Sequence, residues 1–193
     1  MPKLKQFDEK AVLQKAVDIF WEKGYHATSI QDLVKGLGIN RASLYATYGN
    51  KKALFVAALM AYQANGRAVV DELLAAQDDV LEGLEELFRY MIQNALNSED
   101  CKGCFIVNTT TELLPNDEEM KGVMLQNQIQ FEQLLTKYLQ KGVAAGTISA
   151  HKDLPTISHF LFVLINGIQV TTKIEANPPK LNNMLPLILT LLQ

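Results

Sequence analysis

Residues 28–52 read TSIQDLVKGLGINRASLYATYGNKK, a stretch with two short helical patterns around a glycine-containing turn. A segment with an apolar face begins at Thr28, a turn with Gly36 and Gly38 follows it, and a second short segment covers Arg41–Tyr48. Two short helices joined by a glycine-containing turn form a helix-turn-helix. The second helix of this motif fits the major groove of DNA, where its first residues reach base edges.

The polar residues around the second segment are the candidate DNA contacts. Arg41 can donate two hydrogen bonds to guanine, and Ala42 leaves room for a close approach. Asn40 has two interpretations, since it can contact adenine or cap the helix. Lys51 and Lys52 stand in the first turn of the next helix, where the positive end of the helix dipole disfavours each cation by about 0.3–1 kcal/mol. A DNA phosphate bound there would remove this unfavourable free energy. The residue types and positions thus favour DNA contact by Asn40, Arg41, Ala42, Ser43, Tyr45, Tyr48, Lys51 and Lys52.

Helical spacing of apolar residues continues along nearly the whole chain, and no alternating strand pattern appears, so the predicted fold class is all-α. Capping boxes are predicted for Thr28 with Gln31 and for Asn116 with Glu119. About nine helices are expected, at Asp8–Lys23, Thr28–Gly36, Arg41–Tyr48, Lys51–Leu74, Asp79–Leu96, Lys102–Leu114, Asp117–Ala145, Leu154–Ala176 and Asn183–Leu192.

The charge is divided unevenly along the chain, although the net charge is only -3. Residues 1–52 carry nine Lys and Arg against five Asp and Glu, whereas residues 53–193 carry nine against sixteen. A basic module suits the phosphates of DNA, and an acidic one is repelled by them. We therefore expect a DNA-binding domain at 1–52, a connecting helix at about 51–74, and an effector-binding and dimerisation domain at 53–193.

Several other classes of protein are disfavoured by what the sequence lacks. Met1 is followed by a charged segment rather than a secretory leader, and the most apolar stretch, Phe160–Val170, is shorter than the roughly 20 residues of a membrane span. Two cysteines are too few for a disulfide framework. There is no glycine-rich phosphate loop, nucleophile elbow or paired-histidine metal helix. The sequence predicts a cytoplasmic protein that is not an enzyme and uses no membrane, cofactor or metal.

A specific string between residues 20 and 54 resembles the N-terminal signature of the tetracycline-repressor (TetR) family. The matching residues are Gly24-Tyr25, Ala27-Thr28-Ser29-Ile30, Asp32-Leu33, Gly38-Ile39, Leu44-Tyr45, Tyr48 and Lys51-Lys52-Ala53-Leu54. The resemblance implies a dimer that binds a palindrome, with Thr28 and Ser29 beside the contacts named above. Thr47 is also a candidate DNA contact, although it departs from the family pattern by replacing a common histidine that often contacts phosphate.

The second half of the chain resembles the family at Gly103-Cys104-Phe105-Ile106-Val107-Asn108-Thr109, a string found in one large subgroup. The resemblance implies a ligand cavity among the central helices and a dimer formed by long C-terminal helices. Candidate effector-binding residues are Phe88, Met91, Cys104, Asn108, Phe131, His159 and Asn166. Apolar side chains on nearly every face of 157–170 need a partner surface, and the predicted dimer interface comprises Phe160, Leu164, Gly167, Ile168, Leu187, Ile188 and Leu191.

The sequence therefore predicts a repressor that binds a palindromic operator as a homodimer and is released by a small-molecule effector. The effector is expected to act near Cys104 and Asn108 and to change the spacing of the two DNA-binding domains. An alternative stays open, because Cys101 and Cys104 can share a metal, with His151 or His159, or react with electrophiles and oxidants.

Overall fold

A computed structural model describes residues 8–97 and 102–192. Within these ranges the chain forms ten α-helices and no strand, so the all-α prediction is confirmed. The helices are α1 (Glu9–Lys23), α2 (Ile30–Leu37), α3 (Arg41–Tyr48), α4 (Lys51–Ala75), α5 (Val80–Leu96), α6 (Phe105–Leu113), α7 (Glu118–Ala145), α8 (Leu154–Thr171), α9 (Pro178–Asn182) and α10 (Leu185–Thr190). The helix expected at 183–192 is shorter than predicted, since α10 begins at Leu185 with Pro186 in its first turn. The short helix α9, which begins at Pro178, was not predicted.

Both predicted capping boxes are wrong by one residue. Ser29 caps α2 by accepting from the N–H of Asp32 at 3.1 Å, and the Asp32 carboxylate accepts from the N–H of Ser29 at 2.9 Å. Thr28 is buried one residue before the cap, and its hydroxyl donates to the carbonyl of Gly24 at 2.6 Å. Asp117 rather than Asn116 caps α7, since Asn116 belongs to a 3-10 turn at Leu114–Asn116.

The N-terminal unit, α1–α3, packs around the first half of α4. Phe20 of α1 and Phe55 of α4 are fully buried and meet edge to face at 5.0 Å. Phe105 of α6 meets the same Phe55 ring at 5.6 Å, and Met120 of α7 is buried in the same cluster. The N-terminal unit therefore shares its core with α6 and α7.

A second core lies among α4, α5, α7, α8 and α10. Leu84, Leu139 and Leu161 are fully or almost fully buried there, and Val70 and Leu74 join it from the second half of α4. Since α4 contributes to both clusters, it is the structural connection between the two parts of the chain.

One face of α8 remains uncovered in the single chain. Phe160, Val163 and Val170 are 45%, 53% and 44% exposed, and Gly167 lies between them at the spacing of a coiled-coil seam. Leu187 and Leu191 of α10 are also exposed, at 70% and 45%. Leu164 is half-buried against the second core.

Two residues of the predicted dimer interface face inward instead. Ile168 and Ile188 are buried in the second core, at 2% and 4% exposure, so neither side chain is available to a partner. The sequence misassigned them because a helix that is apolar on most faces does not reveal which face its own chain covers.

The helices α4 and α8 are each long and apolar enough to pass a length-and-composition test for a membrane span. The helix α8 contains the apolar stretch 160–170, and it ends at Thr171 rather than at Ala176 as expected. Core helices of folded proteins have the same length and composition, and α4 carries seven buried residues.

Candidate nucleic-acid interface and internal cavity

The turn between α2 and α3 is built around Gly38 and Asn40. Gly38 has a φ of 69°, a left-handed conformation that favours glycine. Asn40 is extended, and its side-chain oxygen accepts from the N–H of Ser43 at 2.8 Å. The capping interpretation of Asn40 is therefore confirmed, and its exposed side chain keeps an amide group that can still donate.

The outer face of α3 presents the residues predicted to meet DNA. Arg41, Ala42 and Tyr45 are exposed, and the Arg41 guanidinium carbon lies 5.6 Å from the centre of the Tyr45 ring. Leu44 is fully buried and holds the helix against the N-terminal unit. Ser29 is exposed at the start of α2, whereas Ser43 and Thr47 are half-buried.

Lys51 lies beside this face at the start of α4. Its ammonium nitrogen is 4.4 Å from the centre of the Tyr25 ring, a cation–π contact that leaves the charge unneutralised. Among the described residues, no carboxylate lies within ion-pair distance of Lys51. Lys51 is therefore a cation that has no counter-ion in the part of the chain that the structure describes.

Three residues of the predicted DNA-binding set point elsewhere. Lys52 forms ion pairs with Asp117 at 2.9 Å and Glu119 at 2.8 Å, both at the start of α7, and these carboxylates raise its pKa. Thr28 is buried, so its hydroxyl does not reach the surface. The Tyr48 hydroxyl is also buried. The position of Lys52 could not be predicted from its neighbours in sequence, because its partners belong to the distant start of α7.

A cavity of about 550 Å³ lies behind the N-terminal unit. Its walls come from α1, α4, α5, α6, α7 and α8. The lining residues are Gln14, Val17, Trp21, Tyr62, Gln63, Asn65, Gly66, Arg67, Val69, Val70, Tyr90, Met91, Asn94, Asn97, Gly103, Cys104, Ile106, Asn127, Phe131, Phe162, Ile165, Asn166 and Gln169.

The structure brings four predicted effector-binding residues to this cavity, namely Met91, Cys104, Phe131 and Asn166. The other three lie elsewhere. Phe88 is a core side chain that is 1% exposed. Asn108 donates to the carbonyl of Lys102 at 2.7 Å and accepts from Lys173, also at 2.7 Å. His159 is exposed and pairs with Glu132 at 2.8 Å.

The sequence analysis missed the polar residues that α4 and α7 give to the cavity. Gln63 and Asn127 are each only 6% exposed, although both lie on helices whose buried positions are otherwise mostly apolar. An amide that interrupts a buried apolar stripe needs a hydrogen-bonding partner, which is the signal that could have identified both residues. Trp21 was missed because it belongs to α1, outside the predicted effector domain.

The cysteine-based alternative gains no support from the site. Burial raises the pKa of the Cys104 thiol, and this disfavours the reactive thiolate. Cys101 lies outside the described residues. Among the residues that are described, no group of three or more His, Cys, Asp or Glu side chains could hold a metal ion.

The segment from Gly103 to Glu112 joins the cavity to the N-terminal unit at two points. The Trp21 indole donates to the carbonyl of Gly103 at 2.8 Å. At the other end, the Glu112 carboxylate accepts from the backbone N–H groups of Tyr25 at 3.0 Å and His26 at 2.7 Å. The first contact joins the residues before α6 to α1, and the second holds the end of α6 against the turn that leads into α2.

Comparison with known proteins places the whole chain among bacterial regulators. Residues 12–58 match the family model described as "Bacterial regulatory proteins, tetR family". Residues 80–186 match "Tetracyclin repressor-like, C-terminal domain", which alone covers more than half of the chain.

Two relatives match most of the sequence. YezE of Bacillus subtilis, an HTH-type transcriptional regulator, is 31% identical over 193 residues, 100% of both chains. ComR of Escherichia coli, an HTH-type transcriptional repressor, is 32% identical over 178 residues, 92% of this chain and 85% of ComR.

A solved structure supports the same conclusion. A cysteine mutant of the TetR family regulator CifR, complexed with 26-base-pair double-strand operator DNA, is 25% identical. The TM-score is 0.84, and the match covers 97% of this chain and 98% of the CifR chain. With its helix-turn-helix in α2 and α3 and its matches along both halves, the chain is a DNA-binding transcriptional regulator that belongs to the TetR family.

Proposed function

We propose that this protein is a cytoplasmic repressor that binds a palindromic operator as a homodimer and is released when a small molecule occupies the cavity. The observation that carries the proposal is the exposed face of α3 with Lys51 beside it. Arg41 provides the paired donors that guanine accepts, and Lys51 provides a positive charge that has no described counter-ion.

The predicted contacts divide into two kinds. Arg41, supported by Asn40 and Ala42, reaches base edges in the major groove, and Tyr45 adds a phenol beside it. Lys51, with Ser29 and Ser43, contacts phosphates, which orient the protein but carry no sequence information. The side chains of Thr28, Tyr48 and Lys52 are not part of this proposal, because they are buried or paired in the structure.

Homodimerisation is supported by the exposed seam on α8. An isolated chain that left Phe160, Val163 and Leu187 in water would expose an unusual apolar surface, and such surfaces mark association sites. Pairing the same face on two copies gives a closed two-fold dimer. Two DNA-binding units related by that axis would contact two half-sites of a palindrome.

Release by a ligand is supported by the position of α6 between the cavity and the N-terminal unit. A molecule in the cavity contacts Trp21, Gly103 and Cys104, which belong to both sides of that connection. The ligand can shift the protein only by binding one arrangement of the DNA-binding units better than the other. A coupling free energy of about 1–3 kcal/mol would change operator affinity roughly 5–150-fold.

The proposed roles of Arg41 and Lys51 can be separated by mutation. Arg41→Ala is expected to relax the base preference at one position of each half-site and to cost about 1–3 kcal/mol of binding free energy. Lys51→Ala is expected to weaken binding to all sequences alike and to lower the salt slope of binding by about one. Fluorescence anisotropy on a set of single-base variants at several salt concentrations measures both quantities.

Lys52→Ala is the matched control, because it removes the same charge at the neighbouring position. Unlike Lys51, Lys52 is paired with Asp117 and Glu119. It should leave the salt slope nearly unchanged. If Lys51→Ala changed the preferred sequence and kept the wild-type salt slope, the phosphate assignment would be wrong.

A further inference from the structure

The described lining of the cavity carries a positive charge, although the part of the chain that forms most of it is acidic. Residues 53–193 are strongly acidic, yet none of the chain's 21 Asp and Glu residues is among the described residues that line the cavity. Arg67 of α4 is the one charged residue among the described residues that line the cavity. Among the described residues, Arg67 has no carboxylate within ion-pair distance.

Asn127 of α7 fixes how Arg67 is presented. One guanidinium nitrogen of Arg67 donates to the side-chain oxygen of Asn127 at 2.9 Å. Arg67 has only donors, so the Asn127 oxygen faces it and the Asn127 amide nitrogen remains as a further donor. Asn127 is 6% exposed, and no described acceptor takes a hydrogen bond from that nitrogen. The Arg67 guanidinium and the Asn127 amide nitrogen, which can only donate hydrogen bonds, therefore lie side by side at the cavity.

The rest of the cavity wall is largely apolar and aromatic. Trp21 and Tyr62 meet edge to face at 5.2 Å, and Phe131 and Phe162 pack at 6.0 Å. Ile165 adds an aliphatic surface between α8 and the cavity. Such walls gain free energy by covering the apolar part of a ligand.

We propose that the cavity binds an amphipathic anion, a molecule with a carboxylate or similar oxyanion held by Arg67 and Asn127 and an apolar body against the aromatic side chains. This inference names the ligand class for the proposed effector site and so rests on the proposed function. A neutral ligand would leave the Arg67 charge uncompensated, and a cationic ligand would be repelled by it. Arginine also pairs with carboxylates through two parallel hydrogen bonds, a geometry that a neutral alcohol cannot reproduce.

Isothermal titration calorimetry of the purified full chain without DNA tests the ligand class. The probes are decanoate, decanol and decyltrimethylammonium, which share an alkyl body, and naphthoate with naphthalenemethanol, which share a flat aromatic one. At least one carboxylate is expected to bind about tenfold or more tightly than its neutral partner, as charge-assisted hydrogen bonds predict. The ammonium compound is expected to bind more weakly than either.

Two variants locate the anion site. Arg67→Gln should abolish the preference for the carboxylate, and Asn127→Asp should do the same by pairing Arg67 with a carboxylate of the protein itself. Arg89→Gln is the control, since Arg89 lies exposed on α5, beside Glu85 and away from the cavity. The proposal is overturned if neither carboxylate binds, if the neutral or cationic probes bind as tightly, or if both cavity variants keep the preference.

Operator binding by the same preparations separates this proposal from the proposed function. Carboxylate preference without any operator binding would contradict the regulatory function and leave the ligand class standing. Operator binding without carboxylate preference would do the reverse.

Discussion

Val163→Asp is expected to convert the protein into a monomer and to lower its operator affinity by about 10²–10⁴-fold, because two linked DNA-binding units gain that factor from effective concentration. Val163 is 53% exposed at the centre of the α8 seam, between Phe160 and Gly167. A carboxylate there would be buried without a partner in the dimer, whereas in the monomer it remains in water. Sedimentation at micromolar concentration and operator titration measure the two effects.

Met60→Asp provides the control for that substitution. Met60 is 55% exposed on α4, outside the seam, so the same change of apolar side chain to carboxylate should leave both assembly and affinity close to wild type. Circular dichroism of Val163→Asp should show the helical content of the wild type. A Val163→Asp protein that remained dimeric and bound the operator normally would show that α8 is not the dimer interface.

Glu112→Ala is expected to loosen the N-terminal unit and to lower operator affinity about fivefold or more, within the usual range of coupling free energies. The Glu112 carboxylate is the acceptor for the N–H groups of Tyr25 and His26, and its removal leaves both without a protein partner. Hydrogen bonds to charged groups contribute about 1.5–3 kcal/mol each, and less where water can replace the acceptor. A loosened unit must then be ordered again when it binds DNA.

Amide hydrogen exchange provides the direct measurement for Glu112→Ala, because the Tyr25 and His26 amides should exchange faster than in the wild type. Glu86→Ala is the matched control, since Glu86 is exposed on α5 and makes only a 4.0 Å contact with Arg89. Unchanged exchange at both amides, together with unchanged operator affinity, would mean that α6 does not restrain the N-terminal unit.

The local features that sequence reasoning predicted well are those set by nearby residues. The α3 bounds, Arg41–Tyr48, matched because Asn40 can cap and Gly49 can end the helix within one short stretch. The capping box of α2 failed by one residue because serine and threonine are chemically similar caps, and the Thr28 hydroxyl donates instead to the Gly24 carbonyl four residues earlier.

Features that depend on distant contacts were harder to predict. Nothing beside Lys52 in the sequence indicates that Asp117 and Glu119, more than sixty residues later, would take its charge. The cavity presents the same difficulty, because Trp21 and Arg67 belong to helices whose other residues form ordinary core. Helical periodicity assigns residues to faces, but it does not say which faces enclose an empty space.

Selection of bound duplexes from a random DNA pool with the wild-type protein shows whether two copies of the chain bind a palindrome. The account predicts an inverted repeat, with half-site centres roughly 34–36 Å apart or one helical turn further, bound by two copies of the chain. Changing the enriched bases of one half-site should weaken the footprint on that half-site and leave the footprint on the other half-site in place. Recovery of no enriched sequence, or of an asymmetric site occupied by a single chain, would contradict the account.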